Sequence, residues 1–163
     1  PSQLQGNPCA VECRIPVILR CLTTVALASL FFLPRLSGAE ETVVLATSST
    51  CPVTKVSSLD LRKAYLGVSV RLEGYNIRPL RLGNDERLNQ IFFQSVVARS
   101  RKSYERRLLS LALKSGTPRP SEYDSVGEAI GALRRIQCSV VYAWKKDLEN
   151  VEGIKIVRVL WQR

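Results

Sequence analysis

A chain of 163 residues and 18.2 kDa has room for one ordinary domain and a short appendage. With 45% hydrophobic and 23% charged residues it can bury a real core, which excludes global disorder. Twenty-four Lys and Arg against fourteen Asp and Glu give a charge of +10, which favours anions or acidic surfaces, and the absence of His removes the commonest general base, the commonest zinc ligand and every Ser-His or Cys-His pair.

Cys21 to Leu33 (CLTTVALASLFFL) runs thirteen residues without a charge, with Arg14 and Arg20 before it and Pro34 after it. This is the layout of a cleavable signal peptide: a basic flank, a short apolar stretch and a helix breaker ahead of small residues. Ser37, Gly38 and Ala39 are those residues, so cleavage is expected after Ala39, leaving a leader of residues 1–39 and a domain of residues 40–163. The alternative is a core helix or a retained anchor, but the stretch is short of the ~20 apolar residues that a bilayer crossing takes. Cys21 precedes the apolar stretch, which speaks against a lipoprotein. The chain starts at Pro1 and contains no Met, so its true start is expected upstream. The domain keeps 21 basic and 13 acidic residues, net +8, and two of the five cysteines, Cys51 and Cys138. In an oxidising compartment these are a candidate disulfide; the alternative is two unpaired buried thiols.

Thr42 to Ala46 is rich in β-branched residues and predicts a strand, with Thr47-Ser48-Ser49-Thr50 as a polar loop after it. Ser57 and Ser58 ahead of Leu59 to Leu66, with Asp60 early, Lys63 late and Gly67 following, carry the start and stop signals of a short helix. Arg71 to Tyr75 reads as a turn or ragged strand and Ile77 to Leu82 as a strand. Pro79 should place that strand at an edge, or where no ladder donor is needed. Asn84 or Asp85 caps a helix with Leu88, Ile91, Phe92, Ser95 and Val96 on one face. A further helix is expected from Ser103 to about Ser115, with Tyr104, Leu108, Leu111 and Ala112 on one face and Gly116 as its stop. Thr117-Pro118-Arg119-Pro120 is a rigid loop, and Ser125 with Glu128 forms a capping box for a helix to about Ile136. Two strands close the chain, Ser139–Trp144 and Ile154–Leu160. Strands alternating with helices predict an α/β class fold, a small mixed sheet with helices packed on it.

The order of these segments resembles a known family. A strand ending in Ser and Thr leads to VSSLDLRKAYLG (Val56 to Gly67). A strand, polar turn and FF-containing helix follow (Arg78 to Val97), then LKSGTPRP (Leu113 to Pro120) and CSVVYAW (Cys138 to Trp144). Together they are similar to short, single-lobe relatives of the phosphate-binding proteins of bacterial ABC transporters, in the type 2 periplasmic solute-binding superfamily. The resemblance spans nearly all of residues 42 to 160. It implies a single lobe of that fold, in a periplasmic protein that binds phosphate or another small anion, or has lost that ability, and works with a membrane permease or envelope complex. The family binds its anion at bare amides in the turn before the FF-containing helix, with an Arg just upstream. Carried over, Arg81 or Arg87 would supply counter-charge and Asn84 and Asp85 would stand in the turn, Asp85 and Glu86 taking the place of Gly and Ser. Two carboxylates there favour the helix and repel a dianion, unless one accepts the proton of a protonated phosphate. Thr47, Ser48, Ser49 and Thr50 would supply hydroxyl and amide donors at a strand end; a solvated turn is the alternative reading. The Gly pair of the family's closing strand is replaced by Cys138 and Val141.

No SxxK, GxSxG, CxxC, Gly-rich phosphate loop or acidic calcium loop occurs, so no catalytic residue, metal or cofactor is expected and the chain is read as not an enzyme. Arg99, Arg101, Lys102, Arg106 and Arg107, with Arg134, Arg135, Lys145 and Lys146 elsewhere, could follow nucleic-acid phosphates, but an exported protein seldom meets them, so no nucleic-acid partner is expected. The same residues suit a solvated face, anionic headgroups or an acidic partner. The competing function is therefore an accessory protein docking on an envelope complex without a small ligand.

Overall fold

The computed structural model describes residues 41–163, so the leader, its cleavage point and the domain boundary at residue 40 lie outside the described residues. Strand β1 is Thr42–Ser48 and is buried along its whole length. Helix α1, Ser58–Tyr65, starts where the hydroxyls predict: Ser57 accepts from the Asp60 amide at 3.0 Å. The short strands β2 (Arg71–Leu72) and β3 (Tyr75–Asn76) form a hairpin through Glu73 and Gly74, both at positive φ, as a tight two-residue turn requires. Strand β4 is Arg78–Leu82, shorter by one residue than the sequence pattern suggests because the Ile77 amide donates to Val70 O instead.

Helix α2, Glu86–Ile91, is capped by Asp85 and widens into a π-helical segment, Phe92–Val97, that ends at Ala98 with φ 53°. Periodicity predicts one regular helix here. The wider turns bring the consecutive Phe92 and Phe93 toward the same neighbours, which a 3.6-residue repeat cannot do. Helix α3, Arg101–Ser115, begins two residues before the expected start because Ser100 rather than a later hydroxyl is its cap, accepting from the Ser103 amide. It stops at Gly116, whose φ of 64° a Cβ would resist. On its inner face Tyr104 and Leu108 are buried, while Leu111 and Ala112 are only half-buried.

Strand β5, Ser121–Tyr123, escapes sequence reading because three residues carry no measurable alternation. Helix α4, Val126–Arg135, has the expected cap, with Ser125 accepting from the Glu128 amide at 3.2 Å while Glu128 reaches back to the Asp124 amide. Strands β6, Ser139–Trp144, and β7, Ile154–Gln162, complete the sheet.

The five-stranded sheet runs β5-β4-β6-β1-β7. β4 is parallel to β5 and β6; β1 is antiparallel to β6 and β7. β1 and β6 sit inside the sheet and are buried throughout, which explains their unbroken apolar runs. β4 is internal as well, so of the two places expected for Pro79 the edge is excluded and the point that needs no ladder donor remains. Its missing donor is tolerated because Arg78 N bonds Cys138 O on the β6 side, leaving position 79 to face β5, whose ladder begins only at Leu80. Cys51 and Cys138 are joined by a disulfide across a sequence separation of 87, with Cα atoms 5.0 Å apart. Cys138, at φ 50°, takes a conformation suited to glycine, and the bond to Cys51 helps hold it there.

Candidate functional site

The Thr47–Thr50 loop and the turn after β4 lie toward opposite ends of the sheet, and strand direction is the reason. β1 is antiparallel to β6, with Thr47 opposite Val140 and Val43 opposite Trp144. The Thr47–Thr50 end of β1 therefore lies beside the start of β6. β4 runs parallel to β6, so the turn that follows it emerges beyond the other end, near Trp144 and Glu41. Four residues of strand separate the two levels, about 13 Å. Three of the four hydroxyls, and the amide of the fourth residue, are also engaged. Thr47 Oγ1 donates to Ser139 O at 2.7 Å, Ser48 and Thr50 share a hydrogen bond at 2.8 Å, and the Ser49 amide donates to Gly153 O. The Thr47–Thr50 loop and the turn after β4 thus lie at different levels of the sheet, while Arg81, which follows Leu80 opposite Val141, stands between those levels.

The residues around the β4 turn do converge. Arg81 is only 4% exposed, and its Nη1 lies 2.9 Å from Glu105 Oε1 on α3 and 3.5 Å from Glu122 Oε2 on β5. Glu122 is its direct ladder partner, so the parallel register places one carboxylate and the packing of α3 the second. The guanidinium carbon lies 5.1 Å from the Tyr104 ring centre, 5.8 Å from Phe92 and 5.7 Å from Phe93. Burial alone would lower the Arg81 pKa, but Tyr104, Tyr142, Glu122 and Glu105 outweigh it and raise it, so the cation persists. Gly83 leaves room for this clamp, since a Cβ there would come 2.6 Å from Glu122 Oε1.

The turn is braced by a residue that sequence reading passed over. Asn89, buried, donates through Nδ2 to Gly83 O and Asp85 O, both at 2.9 Å, and its Oδ1 accepts from the Tyr142 hydroxyl, which is shared with Leu82 O. The available signal was a polar residue beside Leu88 in an otherwise apolar helix face. Asp85 accepts from the Leu88 amide at 2.9 Å and from Trp144 Nε1 at 2.6 Å. Arg87 is paired with Glu41 and lies over the Trp144 ring at 5.7 Å. Exposed Asn84 lines a shallow open groove with Glu86, Gln90, Phe93 and Arg101.

Phe92 stacks on Tyr142 with ring centres 4.4 Å apart, and Tyr65 meets both rings edge-on. Tyr65 donates to Leu80 O at 2.8 Å, whereas the Tyr104 hydroxyl has no partner among the described residues. Burial is the main cause that raises all three tyrosine pKa values: Tyr142 is pushed up to about 12, with Arg81 pulling the other way, and Tyr65 and Tyr104 also lie well above the usual value. A folded pKa above the unfolded one means that the native state holds its protons longer, so this stability is present below pH ~10 and lost as pH rises through the folded values. In a spectrophotometric titration, tyrosinate absorbance from this cluster should appear only together with the loss of circular dichroism. Ionisation of all five tyrosines before unfolding would contradict the packing.

No protein-family profile matches this sequence, and no curated protein matches it. Solved structures do share its fold. PstS from Borrelia burgdorferi is 14% identical over 72% of this chain and 47% of its own, with a TM-score of 0.54. A putative phosphate ABC transporter substrate-binding protein from Clostridium perfringens, solved with bound phosphate, is 13% identical over 73% of this chain and 45% of its own, TM-score 0.55. An ABC-type phosphate transport receptor from Vibrio cholerae is 10% identical over 73% and 46%, TM-score 0.53. The chain thus spans less than half the length of these proteins and has the fold of one lobe-sized part of them.

Proposed function

We propose that this chain is an exported, periplasmic solute-binding-like lobe whose anion position is filled from within, so that the fold persists while small-ligand binding has degenerated. The observation that carries this is the clamp of Glu105 and Glu122 on buried Arg81. At the turn to which the family resemblance assigns the anion, several donors already have partners: Arg81 Nη1 has its two glutamates, the Leu88 amide has Asp85, and Arg87 has Glu41, while buried Arg81 Nε has none among the described residues. An arriving phosphate would meet four carboxylates, Asp85, Glu86, Glu105 and Glu122, and would have to displace two of them from a desolvated guanidinium. The disulfide accords with export, since such bonds persist in oxidising compartments. No helix among the described residues is long and apolar enough to cross a membrane. In this reading a permease or another envelope complex is met through the protein surface.

Thermal-shift measurements with phosphate and sulfate test the proposal. The native chain should show no shift in Tm up to ~10 mM anion, since a ligand at its own Kd already adds about 0.4 kcal/mol. Glu105→Gln with Glu122→Gln should be less stable and should gain an anion-dependent rise, because a buried cation has then lost its counter-charges. Saturable stabilisation of the native chain by micromolar phosphate, abolished by Arg81→Ala, would make the protein a working phosphate receptor and overturn the proposal.

A further inference from the structure

We infer that the outward ridge of α3 is a docking seam for an amphipathic helix of a partner protein, one carrying acidic residues on the same face as its apolar ones. This goes beyond the reading of the anion position and does not depend on it.

The ridge consists of Lys102, Arg106, Leu109 and Leu113. At 100° per residue these four fall within about 60° of arc, opposite the buried Tyr104 and Leu108. Their 4-3-4 spacing is that of a coiled-coil seam. Leu109 is 46% and Leu113 79% exposed, on the side where a solvated helix would carry polar groups. The basic residues of the helix are not equivalent. Arg107 donates to Leu66 O and Arg101 lies over Phe93, so both serve the fold. Lys102 and Arg106 are exposed and have no ion-pair or hydrogen-bond partner among the described residues. Glu105, the one acid of the helix, is committed to Arg81. The ridge therefore offers two unneutralised cations at one end and two bare leucines at the other.

That layout selects among occupants. A helix lying on a lipid surface needs a broad apolar face with cations on its flanks. Here the apolar strip is narrow, and the cations stand on the strip itself, where insertion would drive them toward acyl chains. A second copy of this domain would bring another +8 charge to the contact. A partner helix with apolar residues opposite Leu109 and Leu113 and Glu or Asp opposite Lys102 and Arg106 satisfies both halves of the ridge at once.

The probe is a fluorescent synthetic helix of about three heptads, with Leu at two successive seam positions and Glu at the next two. Fluorescence anisotropy should show salt-sensitive binding to the full chain. It should weaken at least ~10-fold in Leu109→Ser with Leu113→Ser and in Lys102→Glu with Arg106→Glu, and a peptide with Lys in place of Glu should prefer the second variant. Both variants lie on the surface, and an unchanged Tm would show that they fold. Absence of peptide binding, or equal binding of the Lys and Glu peptides, overturns the inference. Flotation with phosphatidylglycerol vesicles that requires Leu113 would overturn it in favour of a membrane, and a Leu113-dependent dimer in sedimentation in favour of self-association.

Discussion

Replacing Cys51 and Cys138 together by alanine is expected to lower stability by about 4 kcal/mol, or roughly 15 °C in Tm for a domain of this size. The effect arises mainly in the denatured chain. The bond closes a loop with a sequence separation of 87, most of the domain, and so removes from the unfolded ensemble many conformations that the native state never uses. In the fold it ties the segment after β1 to the entrance of β6, and both cysteines are buried. Denaturant unfolding of the native chain with and without reductant, beside the double variant, measures the effect. The midpoint should fall in both treated samples, and the slope should rise as the unlinked chain exposes more surface. A loss below about 1 kcal/mol would mean that the denatured chain is already confined by other means.

Arg81→Ala should cost about 3–4 kcal/mol, more than most single substitutions. It removes an aliphatic stem and a guanidinium from among three rings and leaves a void that Phe92, Phe93 and Tyr104 line only partly. The glutamates add little to the loss, since their side chains are 42% and 49% exposed and can rehydrate. Arg81→Met should therefore recover much of the stability, because a flexible thioether refills the space and suits aromatic neighbours. Unfolding free energies of the two variants decide the point. Equal and large losses would mean that the charge matters more than the packing, and no loss in either would remove the cage as a stabilising element.

Local signals in the sequence carried most of the fold. Ser57, Asp85 and Ser125 each cap a helix near where hydroxyl and carboxylate patterns place one, because a cap depends on amides two or three residues away. The long strands β1, β6 and β7 were legible from their apolar runs. Strand β5 was not, since three residues carry no period, and neither was the π segment, which changes the repeat midway through an apolar run. At the site, Arg81 stood out through the family resemblance, whereas Asn89 and Glu122 looked like ordinary polar residues.

The amino-acid sequence by itself determined the charge, the class of fold, the caps and the absence of histidine chemistry, because each depends on composition or on neighbours within a turn of chain. Tertiary structure decided which groups meet. Strand polarity put Thr47–Thr50 and the turn after β4 toward opposite ends of the sheet, and the β4–β5 register set Glu122 against Arg81. Docking of α3 brought Glu105 to the same guanidinium and left Leu109 and Leu113 facing outward. Such pairings join residues tens of positions apart, and their energies arise only when the sheet and helices are assembled, so no local pattern encodes them.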